Sequence, residues 1–157
     1  MFRLLTLAVL LTGFLIAGME YAGPRPPRKD TVYLVHADQL IATEASIARQ
    51  QTTANEVTYI VPGERSTART PLASPTLLIE TENLSADKLR LFRLDVRNGH
   101  RELSFHYKGR GGTYPLRADI ANIAADLYRI DVLDSLSAGE YALSPDGAND
   151  VFCFEVF

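Results

Sequence analysis

The sequence predicts an all-β fold, and three observations carry that prediction. Short runs alternate apolar and polar residues with period two, the pattern of a half-buried strand. Asn98-Gly99 stands between two such runs and supplies the positive φ angles of a tight hairpin turn. The chain ends in Val151-Phe-Cys-Phe-Glu-Val-Phe157, a hydrophobic strand where a loose tail would be polar. Such an ending makes sense when the last strand is sewn into a sheet.

The elements follow in order. Met1-Phe2-Arg3 precedes an apolar run over residues 4–18, the pattern of a signal peptide. The run is short for a spanning helix, which needs roughly 20 apolar residues. Cutting after Ala17 or Ala22 leaves Leu15 or Glu20 at the third position back, so neither site has the small-x-small arrangement. Residues 1–22 are therefore read as a hydrophobic helix, either a cleaved leader or an N-terminal membrane anchor. Residues 23–29, Gly-Pro-Arg-Pro-Pro-Arg-Lys, form a Pro-rich linker of semi-rigid, extended character. The folded domain spans residues 30–157.

Residues 31–36 form the first expected strand. Residues 38–51 are ambiguous: Leu40, Ile41, Ile47 and Ala48 fit a helical face, and two short strands at 40–44 and 46–52 fit as well. Residues 57–61 are a strand stopped by Pro62-Gly63, 66–70 a short polar edge, 76–80 a strand opened by Pro75, and 83–87 a polar turn. Phe92, Leu94 and Val96 share one face, and Leu103, Phe105 and Tyr107 repeat it across Asn98-Gly99. Residues 108–113 are a glycine-rich loop. Ile120, Ile123, Ala124 and Leu127 show a weak helical spacing, and residues 128–132 return to strand alternation. The terminal hairpin places Tyr141 and Leu143 opposite Phe152, Phe154 and Val156, with a Ser144-Pro-Asp-Gly-Ala-Asn-Asp150 turn between them. The sum is a single β-sandwich, immunoglobulin-like or similar, of roughly seven to nine short and mainly antiparallel strands after the N-terminal helix.

Composition narrows the function classes. A chain of 157 residues with 46% hydrophobic and 22% charged residues has material for one core. A formal net charge of −3 gives no electrostatic case for nucleic-acid binding. The one cysteine, Cys153, has no internal disulfide partner and reads as a small buried hydrophobe.

Several short motifs resemble a known group. Leu40-Ile-Ala-Thr-Glu44, Tyr59-Ile-Val-Pro-Gly-Glu-Arg-Ser66, the Ser74-Pro75-led strand, Arg101-Glu-Leu103 and the terminal Gly139-Glu-Tyr-Ala-Leu143 hairpin occur in that order. The arrangement is similar to uncharacterised exported bacterial β-sandwich proteins, in which a P-G-E-Y hairpin precedes an F-x-F-G-V-like last strand. Ala138 and Glu155 stand where that group has its proline and its late glycine. The resemblance implies export and a strand at residues 40–44. It carries no catalytic residue.

Candidate chemistry is sparse. His36, His100 and His106 are the candidate metal ligands, although no pair has a recognised ligand spacing. A Cys153–histidine nucleophile would need an exposed thiol, which its apolar strand argues against. No Gly-x-Ser-x-Gly elbow is present, and Gly109-Arg-Gly-Gly112 lacks the Lys-Ser/Thr ending of a phosphate loop. No catalytic residue and no cofactor are assigned. Arg93, Arg97, Arg101 and Arg110 are the candidate binding residues, an Arg-lined surface set against the alternative of a solvated sheet face with cross-strand ion pairs. Glu140 is expected to bind backbone donors or an arginine. The leading expectation is an exported, envelope-associated binding or structural module acting through loops or edge strands, its partner a protein or surface polymer. A periplasmic metal-dependent enzyme or accessory domain using the histidines, and a secreted inhibitor or immunity-type protein, are the alternatives. The membrane would be met only through an uncleaved N-terminal segment.

Overall fold

The computed structural model describes residues 20–108 and 113–157. Residues 1–19 of the expected N-terminal helix and residues 109–112 of the glycine-rich loop, Arg110 included, lie outside the described residues, and residues 20–22 are not helical. The strands are β1 (Val32–His36), β2 (Gln39–Ala42), β3 (Glu44–Ile47), β4 (Arg49–Thr52), β5 (Glu56–Pro62), β6 (Arg69–Thr70) and β7 (Thr76–Glu80). After a 3-10 turn at Ala86–Lys88 come β8 (Leu89–Arg97), β9 (His100–His106), β10 (Ala118–Ala124), β11 (Leu127–Val132), β12 (Gly139–Pro145) and β13 (Asp150–Val156).

These strands form two sheets. The smaller runs β10-β11-β7-β1-β2; the larger runs β3-β13-β12-β8-β9-β5-β4, with β6 also beside β13. The pairings are antiparallel except for β6 with β13. The larger sheet curls into an open barrel, its end strands β3 and β4 joined by the chain and not by a ladder. Its two end strands, β3 and β4, are consecutive in the chain with Ala48 alone between them. β3 pairs with β13 and β4 with β5, so the chain passes from one rim of the sheet to the other at Ala48, whose amide donates to the Asn149 carbonyl at 2.8 Å. A second bend, at Thr43, carries the chain from the smaller sheet into the larger. Thr43 anchors it by donating its amide and hydroxyl to the Val32 carbonyl at 3.0 and 2.7 Å.

This geometry makes two cores. The first lies between the sheets and joins Val32, Leu34, Leu77, Ile79 and Ile130 of the smaller sheet to Leu91, Tyr141, Leu143, Phe152, Phe154 and Val156 of the larger. The second fills the barrel with Ala48, Val61, Leu94, Ala142, Val151 and Cys153. The larger inward residues come from β5, β8 and β9, and opposite them β12 and β13 supply Ala142, Val151 and Cys153. β12 and β13 are therefore buried on both faces, where period-two alternation predicts strands buried on one. The larger residues face the smaller sheet and the smaller ones face the barrel. Each fully buried Leu or Phe contributes about 1.5–3 kcal/mol relative to exposure.

The described residues hold thirteen strands against an expectation of seven to nine. Part of the excess comes from residues 39–52, which are three strands divided by bends at Thr43 and Ala48. More comes from residues 118–124, where the helical spacing proves to be a strand. The register slips between Asn122 and Ala124, and this bulge, followed by the turn at Asp126 (φ 57°), turns an alternation into an apparent three-to-four-residue period. The Asn98-Gly99 hairpin forms as predicted, with φ of 50° and 81° at its two central residues. The Pro-rich stretch does not stand free of the domain: Pro26 is buried and the Arg25 guanidinium lies 3.8 Å from Glu80.

Candidate functional site

The barrel has a sealed end and an open one. Arg101, on β9, seals the first and is 1% exposed. Its Nε donates to the Gly63 carbonyl at 3.0 Å, one terminal nitrogen donates to Ser66 Oγ at 2.6 Å, and the other donates to Glu44 Oε1 at 2.6 Å and the Pro62 carbonyl at 2.7 Å. The Glu140 carboxylate completes the ring 3.6 Å away, and it accepts from the Ser66 amide at 3.1 Å and the Ser66 hydroxyl at 2.5 Å. The Thr67 amide donates to Glu44 at 2.9 Å. The β5–β6 loop is thus tied across the barrel end by one guanidinium and two carboxylates. A planar fork of five donors suits this set of diverging acceptors in a way an ammonium cannot. Beside it, Glu155 binds Arg65 and Arg69 at 2.7 Å each. Burial alone would raise the Glu155 carboxyl, but hydrogen bonds and charge from the two arginines prevail and hold it below its ordinary value.

The other end is apolar and open. β8 and β9 pair only from Asp95–Arg97 to His100–Glu102, then diverge. Phe92 and Phe105 span the split edge to face, 5.6 Å between centroids, and Tyr59 meets Phe105 at 6.0 Å in the same manner. Val61, Leu94, Leu103, Ala142 and Val151 form the inner wall, and the β12–β13 turn, residues 144–149, forms the lip. The cavity they enclose is about 120 Å³. Its lip is built rather than loose: Ser144 Oγ donates to the Asp150 carbonyl at 2.8 Å, the Asp146 amide to the Lys88 carbonyl at 2.9 Å, and Asp146 pairs with Arg90 at 3.1 Å.

On the outer face of β5, β8 and β9 lies a polar trough of about 530 Å³, with Glu56, Arg93, Asp95, Arg97, Glu102 and His106 among its walls. Its polar groups face one another. Arg97 lies 3.7 Å from Asp95 and 3.5 Å from Glu102, and His106 lies 3.1 Å from Glu56.

The candidate residues separate. His100 and His106 stand at opposite ends of β9, about 20 Å apart along the strand, and His36 ends β1 in the other sheet. His100 pairs with Glu102 at 2.8 Å. Among the described residues no three histidine, cysteine, aspartate or glutamate side chains come together as a metal-binding group. Arg93 and Arg97 share the trough. Arg93 also donates to the Ala138 carbonyl at 3.1 Å, to Tyr141 Oη at 3.1 Å and to Ser137 Oγ, lying over the Tyr141 ring. It clamps the chain entering β12. Arg101 is not a surface residue but the barrel seal, and this corrects its assignment to an exposed Arg face. Its place was marked in the sequence, because it shares the parity of Leu103 and Phe105 and so must point inward with them. The Cys153 thiol is buried, which pushes its pKa up to about 12; Arg101 opposes the shift and Glu44 and Glu140 add to it. Such a thiol is no nucleophile. The barrel mouth escaped the sequence reading because its residues come from β5, β8, β9, β12 and β13, and only the curl of the sheet assembles them.

No protein-family model matches the chain, and no curated protein and no solved structure matches it.

Proposed function

We propose that the chain is an exported, non-catalytic binding module of the cell envelope that captures an extended segment of a partner protein along β10. The arrangement of sheet edges carries this reading. Residues 39–52 supply β2, one edge of the smaller sheet, and both β3 and β4, the end strands of the larger. Among the described residues β10 is the remaining end strand in the order of the two sheets. It spans seven residues and has β11 on one side only. Ala118 and Ile120 pack toward the core, and the other edge of the strand offers its backbone donors and acceptors to an added strand. In this reading the two packed sheets serve as an immunoglobulin-like sandwich would, a rigid scaffold presenting edges and loops. Export is supported by the basic start and apolar run of residues 1–18 and by the resemblance of the terminal hairpin to exported bacterial proteins.

The test pairs wild type with the double substitution Asp119→Lys and Ala121→Lys, which places charge along β10 on the face turned away from the core. Partner capture from an envelope fraction should fall with the variant while the melting temperature holds, and the β10 amides of the wild type should gain protection from hydrogen exchange in the complex. Undiminished capture by the variant, or protection elsewhere with β10 unchanged, refutes strand addition. The N-terminal residue of the protein recovered from cells tests export separately.

A further inference from the structure

We infer that the barrel mouth is a binding site for a small uncharged molecule built on one aromatic ring. The inference is independent of the edge-strand reading and rests on four features of the cavity. First, its size: about 120 Å³ approaches the roughly 150 Å³ of an engineered apolar cavity that takes up benzene. Second, its lining: Tyr59, Phe92 and Phe105 are half-buried, and their edge-to-face contacts leave ring surface turned to the open cavity. A ring entering there completes the herringbone that the three already form, with offset or perpendicular contacts that add about 0.5–1.5 kcal/mol beyond area burial. Third, its charge: the acid at the lip, Asp146, is neutralised by Arg90, and the cluster around Arg101 lies at the sealed far end. The site thus provides no counter-charge for an ionised ligand. Fourth, its rigidity: the hydrogen bonds of the lip hold the opening before any ligand arrives, so little ordering cost falls on binding.

The split between β8 and β9 is taken up in part by the chain after β9: Thr113 Oγ1 donates to the Ser104 carbonyl at 2.7 Å, and the Leu116 amide donates to the Leu91 carbonyl at 2.7 Å. Among the described residues an apolar concavity remains open at this end of the barrel, the arrangement by which small barrels hold one small ligand.

Toluene is the probe. Titrated into the full-length protein and followed by two-dimensional amide and methyl NMR, it should produce saturable shifts at Val61, Leu94, Leu103 and Val151 and none at the β10 edge. Ala148→Trp, on the lip and outside both cores, fills the opening and should weaken this binding by about tenfold or more, with an unchanged melting temperature. 1-Hexanol, flexible and of similar bulk, should bind several-fold more weakly than toluene. Absence of saturable shifts, shifts undiminished in the Ala148→Trp protein, or equal binding of 1-hexanol would each overturn the assignment. If Ala148→Trp lowers stability, Leu103→Trp closes the same cavity from the opposite wall and gives the same decision.

Discussion

Replacing Arg101 with methionine should be among the most damaging single changes available to this protein. The side chain is 1% exposed and its guanidinium serves two backbone carbonyls, one hydroxyl and two carboxylates. Methionine fills much of the volume and serves none of them. The Glu44 side chain is 22% exposed and rehydrates. The Glu140 side chain, at 4%, does not, and its charge is left buried with only the Ser66 donors. Removing one partner of a buried, hydrogen-bonded pair costs about 3–5 kcal/mol. At about 2–8 °C per kcal/mol for domains of this size range, the melting temperature should fall on the order of 10–20 °C. Urea unfolding of wild type, Arg101→Met and the double variant Arg101→Met with Glu140→Gln measures it directly. The double variant should recover part of the loss, because the stranded charge is gone. Arg101→Lys should lose about 1–3 kcal/mol, since the charge remains but the fork does not. A loss below about 1 kcal/mol for Arg101→Met, or a double variant no more stable than the single, would refute the claim that this ion cluster seals the barrel.

Two further outcomes are expected. The Cys153 thiol, pushed up to about 12 by burial, should resist iodoacetamide at pH 8 in the folded protein and react only as fast as the domain unfolds; labelling much faster than unfolding would show the barrel interior to be open. Acid should destabilise the domain through carboxyls held below their ordinary values. For Asp30, burial raises the value, but the amides of Glu82, Asn83 and Leu84 together with the Asn83 side chain outweigh it, while for Asp134 the Arg117 amide and guanidinium lower it. With Glu155, these groups bind protons less readily folded than unfolded. Their stabilisation is therefore complete above the ordinary carboxylate range and is lost as pH falls through the lower folded values, below about pH 4. Stability measured against pH should be flatter in Asp30→Asn and Glu155→Gln, and an unchanged acid limb in both would refute the assignment.

The strands of the central and terminal hairpins were legible because period-two alternation and Asn-Gly punctuation are local properties. What escaped was everything produced by curvature. Ala48 and Thr43 carry no turn chemistry, so one stretch that serves both sheets read as an ambiguous helix or two strands. The bulge at residues 122–124 imitated a helical period. The tie of Glu140 to backbone donors and an arginine was legible and is met at Ser66 and Arg101. Arg101 and Glu155 have the parity of inward-facing neighbours, which pointed to the barrel interior. The usual weight given to charge as a mark of solvent set that parity aside. The open mouth has no local signature, because its aromatic side chains converge from strands distant in sequence.

The stretch that belongs to both sheets has a consequence for how the molecule comes apart. Thr43 and Ala48 weld three segments of backbone into one brace, so neither sheet can peel away without dragging on the rim of its neighbour. Local opening at that brace is coupled to loss of the whole structure, and the domain should fold and unfold as one cooperative body. Because the brace is completed by β13, distant in sequence from β3, that body assembles only after β13 has been made.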